Sequence, residues 1–155
     1  MGVGTVAAGI PDEVRHRPKW RLAVDPWRRA RRNGVSFDGL TSDEGYGAAV
    51  PLLRFLNRAG QRFVAEVRVN FAVREAAGGP SRSTGTDARA GTRHRVAHRT
   101  VRASVWRATT AAVWVADRWH ARVVAIDEAT GEVKYFRTNA TAASVARVLA
   151  VAFCR

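Results

Sequence analysis

The chain has 155 residues, which is enough for one domain with a hydrophobic core. Its hydrophobic content of 46% excludes wholesale disorder, and 26 Lys and Arg residues against 13 Asp and Glu residues give a formal net charge of +13. This surplus favours a polyanionic partner whose phosphates are contacted in a salt-sensitive way. The single cysteine, Cys154, excludes an intramolecular disulfide and a zinc cluster built from thiolates.

The basic residues are almost all arginines, since Lys19 and Lys134 are the only lysines. This preference is also typical of a GC-rich coding sequence, although such a bias does not explain why basic residues outnumber acidic ones. No stretch reaches the roughly 18 apolar residues of a membrane helix. Residues 1–18 contain no apolar run long enough for a signal peptide. We therefore expect a cytoplasmic protein without a membrane partner.

The first predicted element is a helix that ends at Gly34 and begins either near Pro18 or after Asp25, with Asp25 as its cap and Pro26 as its first residue. If the helix begins near Pro18, Pro26 lies in its interior, where proline removes a backbone hydrogen bond and costs about 3 kcal/mol. Trp20 and Trp27 are seven positions apart and share one helical face. We expect both indoles to anchor this helix to the core.

A strand, a turn, a helix and a second strand are predicted next. Residues 35–40 and 61–67 have the pattern of strands, and residues 48–59 that of a helix. Between the first strand and the helix, residues 41–47 read Thr-Ser-Asp-Glu-Gly-Tyr-Gly. This order places the carboxylate of Asp43 at the end of a strand, where open α/β sheets bind their ligands.

Residues 75–99 are rich in Gly, Ser, Thr, Ala and Arg, and we expect a mobile loop there. Its basic end carries Arg93, Arg95 and Arg99, which are candidates for binding the phosphates of DNA. The alternative is that these arginines are simply solvated, as charge runs usually are.

Four strands are predicted in the second half, over residues 101–106, 111–116, 121–126 and 132–137. Their alternation indicates an antiparallel sheet, and a turn at residues 129–131 joins the last two strands into a hairpin.

Six blocks of the sequence match known sequences in their order and spacing. The segment Asp43-Glu-Gly-Tyr-Gly47 is preceded and followed by further matching blocks. These blocks are residues 8–23, 33–38, 52–71, 134–140 and 151–155. Together they resemble the transposases of bacterial insertion sequences, of the DDE type with a ribonuclease-H-like core. Ordered blocks are a more specific signal than one short motif.

The resemblance implies an α/β (α+β) fold and a division of the chain. It implies a partial ribonuclease-H-like core (1–74), a flexible loop (75–100), an antiparallel β-rich insertion (101–138) and the start of the C-terminal core helix region (139–155). In that family two Asp and one Glu hold two divalent ions, usually Mg²⁺, for DNA cleavage and strand transfer. Asp43 corresponds to the second acid, as catalytic residue and metal ligand, and DNA is the implied partner.

The resemblance also indicates what this chain lacks. The family's first Asp lies on a strand upstream of the matched blocks, and residues 1–7 contain no carboxylate. The family's Glu follows the block matched by residues 151–155, where the sequence stops. We therefore expect a transposase fragment, truncated at both ends, that binds Mg²⁺ weakly and neither cuts nor joins DNA by itself.

Other interpretations remain open on the sequence. The chain could be a non-catalytic, Arg-rich nucleic-acid-binding domain that retained the fold and lost the reaction. Asp43 could be an ordinary turn residue, since Asp and Gly favour tight turns. An unselected reading frame is a further alternative, because a sheet without its first strands has an uncovered edge.

Overall fold

A mixed sheet of eight strands organises the part of the chain that the structure describes. This computed structural model describes residues 14–74, 81–83, 88–98 and 102–154. The strands are β1 (Gly39–Ser42), β2 (Arg62–Val67), β3 (Ala72–Arg74), β4 (Ser81–Ser83), β5 (Thr92–Val96), β6 (Ser104–Val115), β7 (Arg118–Asp127) and β8 (Val133–Thr138). The helices are α1 (Lys19–Arg32), α2 (Glu44–Gly47), α3 (Val50–Arg58) and α4 (Val145–Ala152).

The strand order places β1 at one edge of the sheet. The strands follow the order β1-β2-β8-β7-β6-β3-β4, and β5 also pairs with β6. Strand β1 is parallel to β2, with Leu40 opposite Phe63, whereas the other described pairs are antiparallel. A parallel pair requires a crossover connection, and α2 and α3 supply it. The mixed α+β class predicted from the sequence is confirmed.

Of the two predicted starts of α1, the structure has the earlier one, near Pro18, and the helix runs through Pro26. Gly34 ends it with a φ of +76°. The backbone N–H of Gly34 donates to the carbonyl of Arg31, and that of Val35 donates to the carbonyl of Ala30. This is the Schellman arrangement. Because Val35 is used in this helix exit, the strand predicted over residues 35–40 begins later, at Gly39.

The predictions for the second half need two corrections. The strands predicted over residues 101–106 and 111–116 overlap one continuous strand of 12 residues, β6 (Ser104–Val115), and residue 101 lies outside the described residues. Its middle contains Arg, Ala and Thr but no residue that favours a turn, so the backbone continues. The predicted loop over residues 75–100 contains two strands, β4, which pairs with β3, and β5, which pairs with β6. The basic and polar residues of β5 hid the pattern of a strand, and Val96 is the one buried residue of β5.

Two hydrophobic clusters cover opposite faces of the sheet. On one face, α4 packs Val148 and Leu149 against a cluster that includes Trp106 and Phe136. On the other face, α1 and α3 pack against β2. The members of this second cluster are Val24, Leu52, Leu53, Leu56, Phe63 and Ala65, with Trp20 and Trp27 packed against them. The expectation that both tryptophans anchor α1 to the core is therefore confirmed.

A buried polar network lies where α3 meets β7 and the end of β8. Nδ2 of Asn139 donates to Oδ1 of Asn57 at 3.1 Å, and Nδ2 of Asn57 is 3.2 Å from Nε2 of His120. Because the amide nitrogen is a donor, Nε2 is the acceptor and the proton of the neutral ring is on Nδ1. His120 is fully buried. Burial, together with the charges of Arg137 and Arg118, lowers its pKa to about 3.

The burial of His120 predicts a specific dependence of stability on pH. The folded state keeps the ring neutral, whereas an unfolded histidine takes up a proton below its ordinary pKa of about 6.5. The free energy of unfolding should therefore be independent of this group above that pKa. Below it, the free energy should fall by up to about 1.4 kcal/mol per pH unit until the folded pKa is reached.

Urea denaturation at about pH 7 and about pH 5 measures this loss, because most carboxylates remain ionised across that range. The variant His120→Gln should lose much less stability between the two conditions than the parent chain. The control His16→Gln changes an exposed histidine and should behave like the parent. Equal pH dependence in the parent and in His120→Gln would contradict the assignment.

Candidate functional site

Asp43 lies directly after β1 and caps the short helix α2. Its backbone is extended, with φ −74° and ψ 174°. Its Oδ1 atom accepts hydrogen bonds from the backbone N–H groups of Gly45 at 2.9 Å and Tyr46 at 3.2 Å. The carboxylate is exposed, and within the described residues its Oδ2 atom has no hydrogen-bond partner. The predicted placement of an acid at the end of a strand, before a glycine turn, is confirmed.

Glycine at two positions allows this turn to lie against its neighbours. A Cβ atom at Gly47 would be 1.9 Å from the carbonyl oxygen of Glu66 on β2. A Cβ atom at Gly45 would be 2.6 Å from Nζ of Lys19. The first contact is with backbone that cannot move aside, so Gly47 fixes α2 against β2. The second contact is with the flexible end of a lysine, which can move.

A buried arginine holds the end of the same turn. Nη2 of Arg137, on β8, donates to the carbonyl oxygen of Gly47 at 3.0 Å. The guanidinium carbon lies 3.9 Å from the centre of the Phe71 ring. The side chain is 1% exposed, and its Nε and Nη1 atoms have no hydrogen-bond partner among the described residues. Burial lowers the pKa of Arg137 to about 9.

The neighbouring acids do not join Asp43. Glu44 lies 3.7 Å from the guanidinium of Arg68. Glu66 accepts a hydrogen bond from Nζ of Lys134 at 2.9 Å. Both carboxylates are therefore members of ion pairs.

A cavity of about 670 Å³ opens beside Asp43, between α1, β1 and α3. Asp43 is the one carboxylate on its wall among the described residues. The aromatic residues on that wall are Trp27, Phe37, Tyr46, Phe55 and Phe63. The ammonium group of Lys19 lies over the Tyr46 ring, 4.4 Å from its centre. The carboxylate therefore has an apolar surface on one side and a cation close by.

The described residues do not assemble a complete site for a divalent ion. Mg²⁺ requires several oxygen ligands in a near-octahedral arrangement. In the ranges that the structure describes, no three His, Cys, Asp or Glu side chains come together. The free oxygen of Asp43 has the right chemistry for one position around such an ion, and the other positions are not assembled here.

Of the three arginines predicted to bind DNA, the structure describes two. Arg93 is in β5 and forms a bidentate pair with Glu128, with both N–O distances at 2.8 Å. Its hydrogen bonds to Glu128 raise the pKa of Arg93 and lower that of Glu128, which also accepts from Arg107 at 2.8 Å. Arg95 is exposed on the same strand. Arg99 lies outside the described residues.

The comparison with family models shows which family the chain belongs to. A model described as "DDE superfamily endonuclease" matches residues 5–147. The chain belongs to this superfamily. No curated protein matches the chain.

Because the chain belongs to this superfamily, the structure described above is that of a DDE domain. The mixed α+β structure is consistent with a ribonuclease-H-like DDE domain. The superfamily supports a function of the nuclease or transposase type, acting on DNA, and its members generally use divalent metals. Among the described helices of this DDE domain, none has the length and apolar character needed to cross a membrane.

Sequence reasoning found Asp43 but missed several residues that shape this DDE domain. The sequence pattern predicts no particular role for His120, or for Arg137 within the block 134–140, because their burial results from long-range packing. The close approach at Gly47 also depends on a distant partner. The one available signal was the pair of glycines after Asp43, since close backbone approach is a usual reason for glycine.

Two substitutions at Asp43 separate its structural role from its charge. Asn and Asp are about equally effective as N-caps, whereas Ala cannot accept the two backbone hydrogen bonds. We expect Asp43→Ala to lower the free energy of unfolding by about 0.5–2 kcal/mol. Asp43→Asn should change it by less than about 0.5 kcal/mol. Urea denaturation of both variants gives these values, and equal losses would show that the cap is not the structural contribution of Asp43.

Proposed function

We propose that this chain is a fragment of a DDE transposase of an insertion sequence, and that Asp43 is a catalytic residue and a ligand of Mg²⁺. The proposal rests on the hydrogen bonding of the Asp43 carboxylate at the end of β1. One oxygen is held by two backbone N–H groups at 2.9 and 3.2 Å. The other oxygen is left for a cation, with its direction fixed by the cap.

The position of Asp43 in the sheet supports this role. Strand β1 runs parallel to β2, and ligands of open α/β sheets bind beyond the carboxyl ends of the strands. The match to the DDE superfamily endonuclease model adds the substrate class, DNA. A divalent ion at such a site would polarise a phosphodiester or activate a water molecule. Asp43 would contribute charge and orientation to that ion.

We further propose that the isolated chain does not cleave DNA. One carboxylate neutralises half the charge of a divalent ion and fills one position around it, so binding should be weak. Among the described residues, Glu44 and Glu66 have cationic partners and are not positioned as further ligands. The location that fits the whole proposal is the bacterial cytoplasm, in association with the nucleoid.

Nicking of supercoiled plasmid in Mg²⁺ or Mn²⁺ tests the predicted inactivity. We expect the parent chain to give no more nicked product than Asp43→Asn, which retains the cap. A control variant, Glu132→Gln, removes one exposed carboxylate elsewhere and should also match the parent. Metal-dependent nicking that disappears in Asp43→Asn but persists in Glu132→Gln would show that the chain is an active nuclease.

A second candidate function is a non-catalytic, Arg-rich nucleic-acid-binding domain. The formal charge of +13 favours it, because phosphate contacts by arginine need no catalytic acid. The two functions differ in what Asp43 does. If the chain only binds DNA, Mn²⁺ should show no preference for the Asp43 turn, while affinity for duplex DNA should still fall steeply with added salt.

A further inference from the structure

The outward face of α1 carries arginines that none of the interactions described above explains. Trp20, Val24 and Trp27 turn one side of this helix toward the core. At 3.6 residues per turn, Arg21, Arg28, Arg29 and Arg32 lie on the opposite side of the helix or on its flank, and all four are exposed. We propose that this face binds the sugar-phosphate backbone of duplex DNA.

The charge of α1 is almost entirely of one sign. Its 14 residues contain one acid, Asp25, which is paired with Arg17 from the preceding segment. The basic residues of the helix are Lys19, Arg21, Arg28, Arg29, Arg31 and Arg32. A surface with this imbalance attracts a polyanion, and arginine binds phosphate oxygens in a bidentate manner.

Two of the arginines lie beside aromatic rings. The guanidinium carbon of Arg21 lies 5.4 Å from the centre of the Trp20 ring, and that of Arg28 lies 5.3 Å from the centre of the Phe55 ring. Together with Arg17 and Asp25, which are paired with each other, these side chains border a surface depression of about 260 Å³. Contact with a ring restricts a side chain, so that less conformational entropy is lost when it binds a ligand. Because Asp25 is neutralised by Arg17, the charges of Arg21 and Arg28 favour a phosphate group there.

The length of α1 fits several phosphates. A helix of 14 residues is about 21 Å long, at about 1.5 Å per residue. Duplex DNA carries about 12 phosphates over the same axial length, at one charge per roughly 1.7 Å. Arg21 and Arg32 are 11 residues apart in the sequence, so the arginines can reach phosphates spread along the duplex.

Neither stabilisation of the helix nor membrane binding explains all of the exposed arginines of α1. Arg29, Arg31 and Arg32 are in the last turn, where cations favourably oppose the helix dipole, but Arg21 is in the first half. Membrane binding requires an apolar face that is free to insert. The apolar face of α1 is packed on the core, and Leu22 is the one large apolar side chain of this helix that is highly exposed.

The N-terminal end of α1 also reaches the candidate site. Lys19, its first residue, places Nζ beside Gly45 and over the Tyr46 ring, in the turn that Asp43 caps. Lys19 therefore brings one cation of α1 to this turn, on the flank of the helix that faces away from Arg21 and Arg28. This inference rests on the proposed function insofar as DNA is the substrate, but it does not require metal binding or cleavage by this chain.

The test compares two triple variants that remove the same formal charge. The α1 variant is Arg21→Gln, Arg28→Gln and Arg32→Gln. The control variant is Arg58→Gln, Arg102→Gln and Arg147→Gln, whose arginines are also exposed but lie outside α1. Circular dichroism and urea denaturation first establish that both variants fold like the parent. Fluorescence anisotropy with a 20-base-pair duplex then gives the affinity of each chain over a series of salt concentrations.

We expect the α1 variant to bind the duplex at least about tenfold more weakly than the parent at low salt. Its slope of log K against log salt should be reduced by up to about 2.7, at about 0.9 for each phosphate that the variant no longer neutralises. The control variant should bind less than about threefold more weakly than the parent, with a slope reduced by less than about one.

Equal reductions in the affinity of the two variants would overturn the proposal, because they would mean that only net charge matters. Retained DNA affinity in the α1 variant, with loss of binding to vesicles containing phosphatidylserine, would also overturn it and assign the face to anionic membranes. Failure of metal binding at Asp43 would contradict the proposed function without affecting this result, since the anisotropy measurement contains no divalent metal.

Discussion

The close approach of Gly47 to strand β2 is the constraint on which the candidate site depends. Any Cβ atom there would lie 1.9 Å from the carbonyl oxygen of Glu66, so α2 can occupy its position only with glycine at this point. Buried Arg137 binds the Gly47 carbonyl oxygen from β8 and thereby links the turn to the centre of the sheet. Asp43 caps the same turn. Its placement beyond β1 therefore follows from backbone contacts made four residues later.

Local patterns predicted the parts of the structure that local interactions determine. Helix α3, strand β2 and the turn at Asp43 have clear periodicity or glycine signals, and they lie close to their predicted positions. Strand β5 has polar residues at most positions, so only its pairing with β6 reveals it. The roles of Arg137 and His120 depend on burial by segments distant in the sequence. A single sequence read without its contacts carries no sign of that burial.

In the described part of the chain, the candidate site of this DDE domain contains one carboxylate, that of Asp43, whereas the neighbouring helix α1 is strongly basic. Asp43 has one carboxylate oxygen without a hydrogen-bond partner among the described residues, while the exposed face of α1 carries several guanidinium groups. The arginines of α1 can contact phosphates without help from other residues. A metal site, in contrast, needs more ligands than Asp43 alone. Affinity for DNA should therefore be the more robust property of this chain, and catalysis the more dependent one.

Paramagnetic broadening by Mn²⁺ in an amide ¹H–¹⁵N spectrum is the most direct test of Asp43 as a metal ligand, because it detects weak binding at a defined position. We expect low concentrations of Mn²⁺ to broaden the amide signals of residues 43–47 first. Asp43→Asn, which keeps the helix cap, should remove this selective broadening. Broadening that persists unchanged in Asp43→Asn, or that centres on Glu128 or Glu132 instead, would contradict the assignment of Asp43 to the metal.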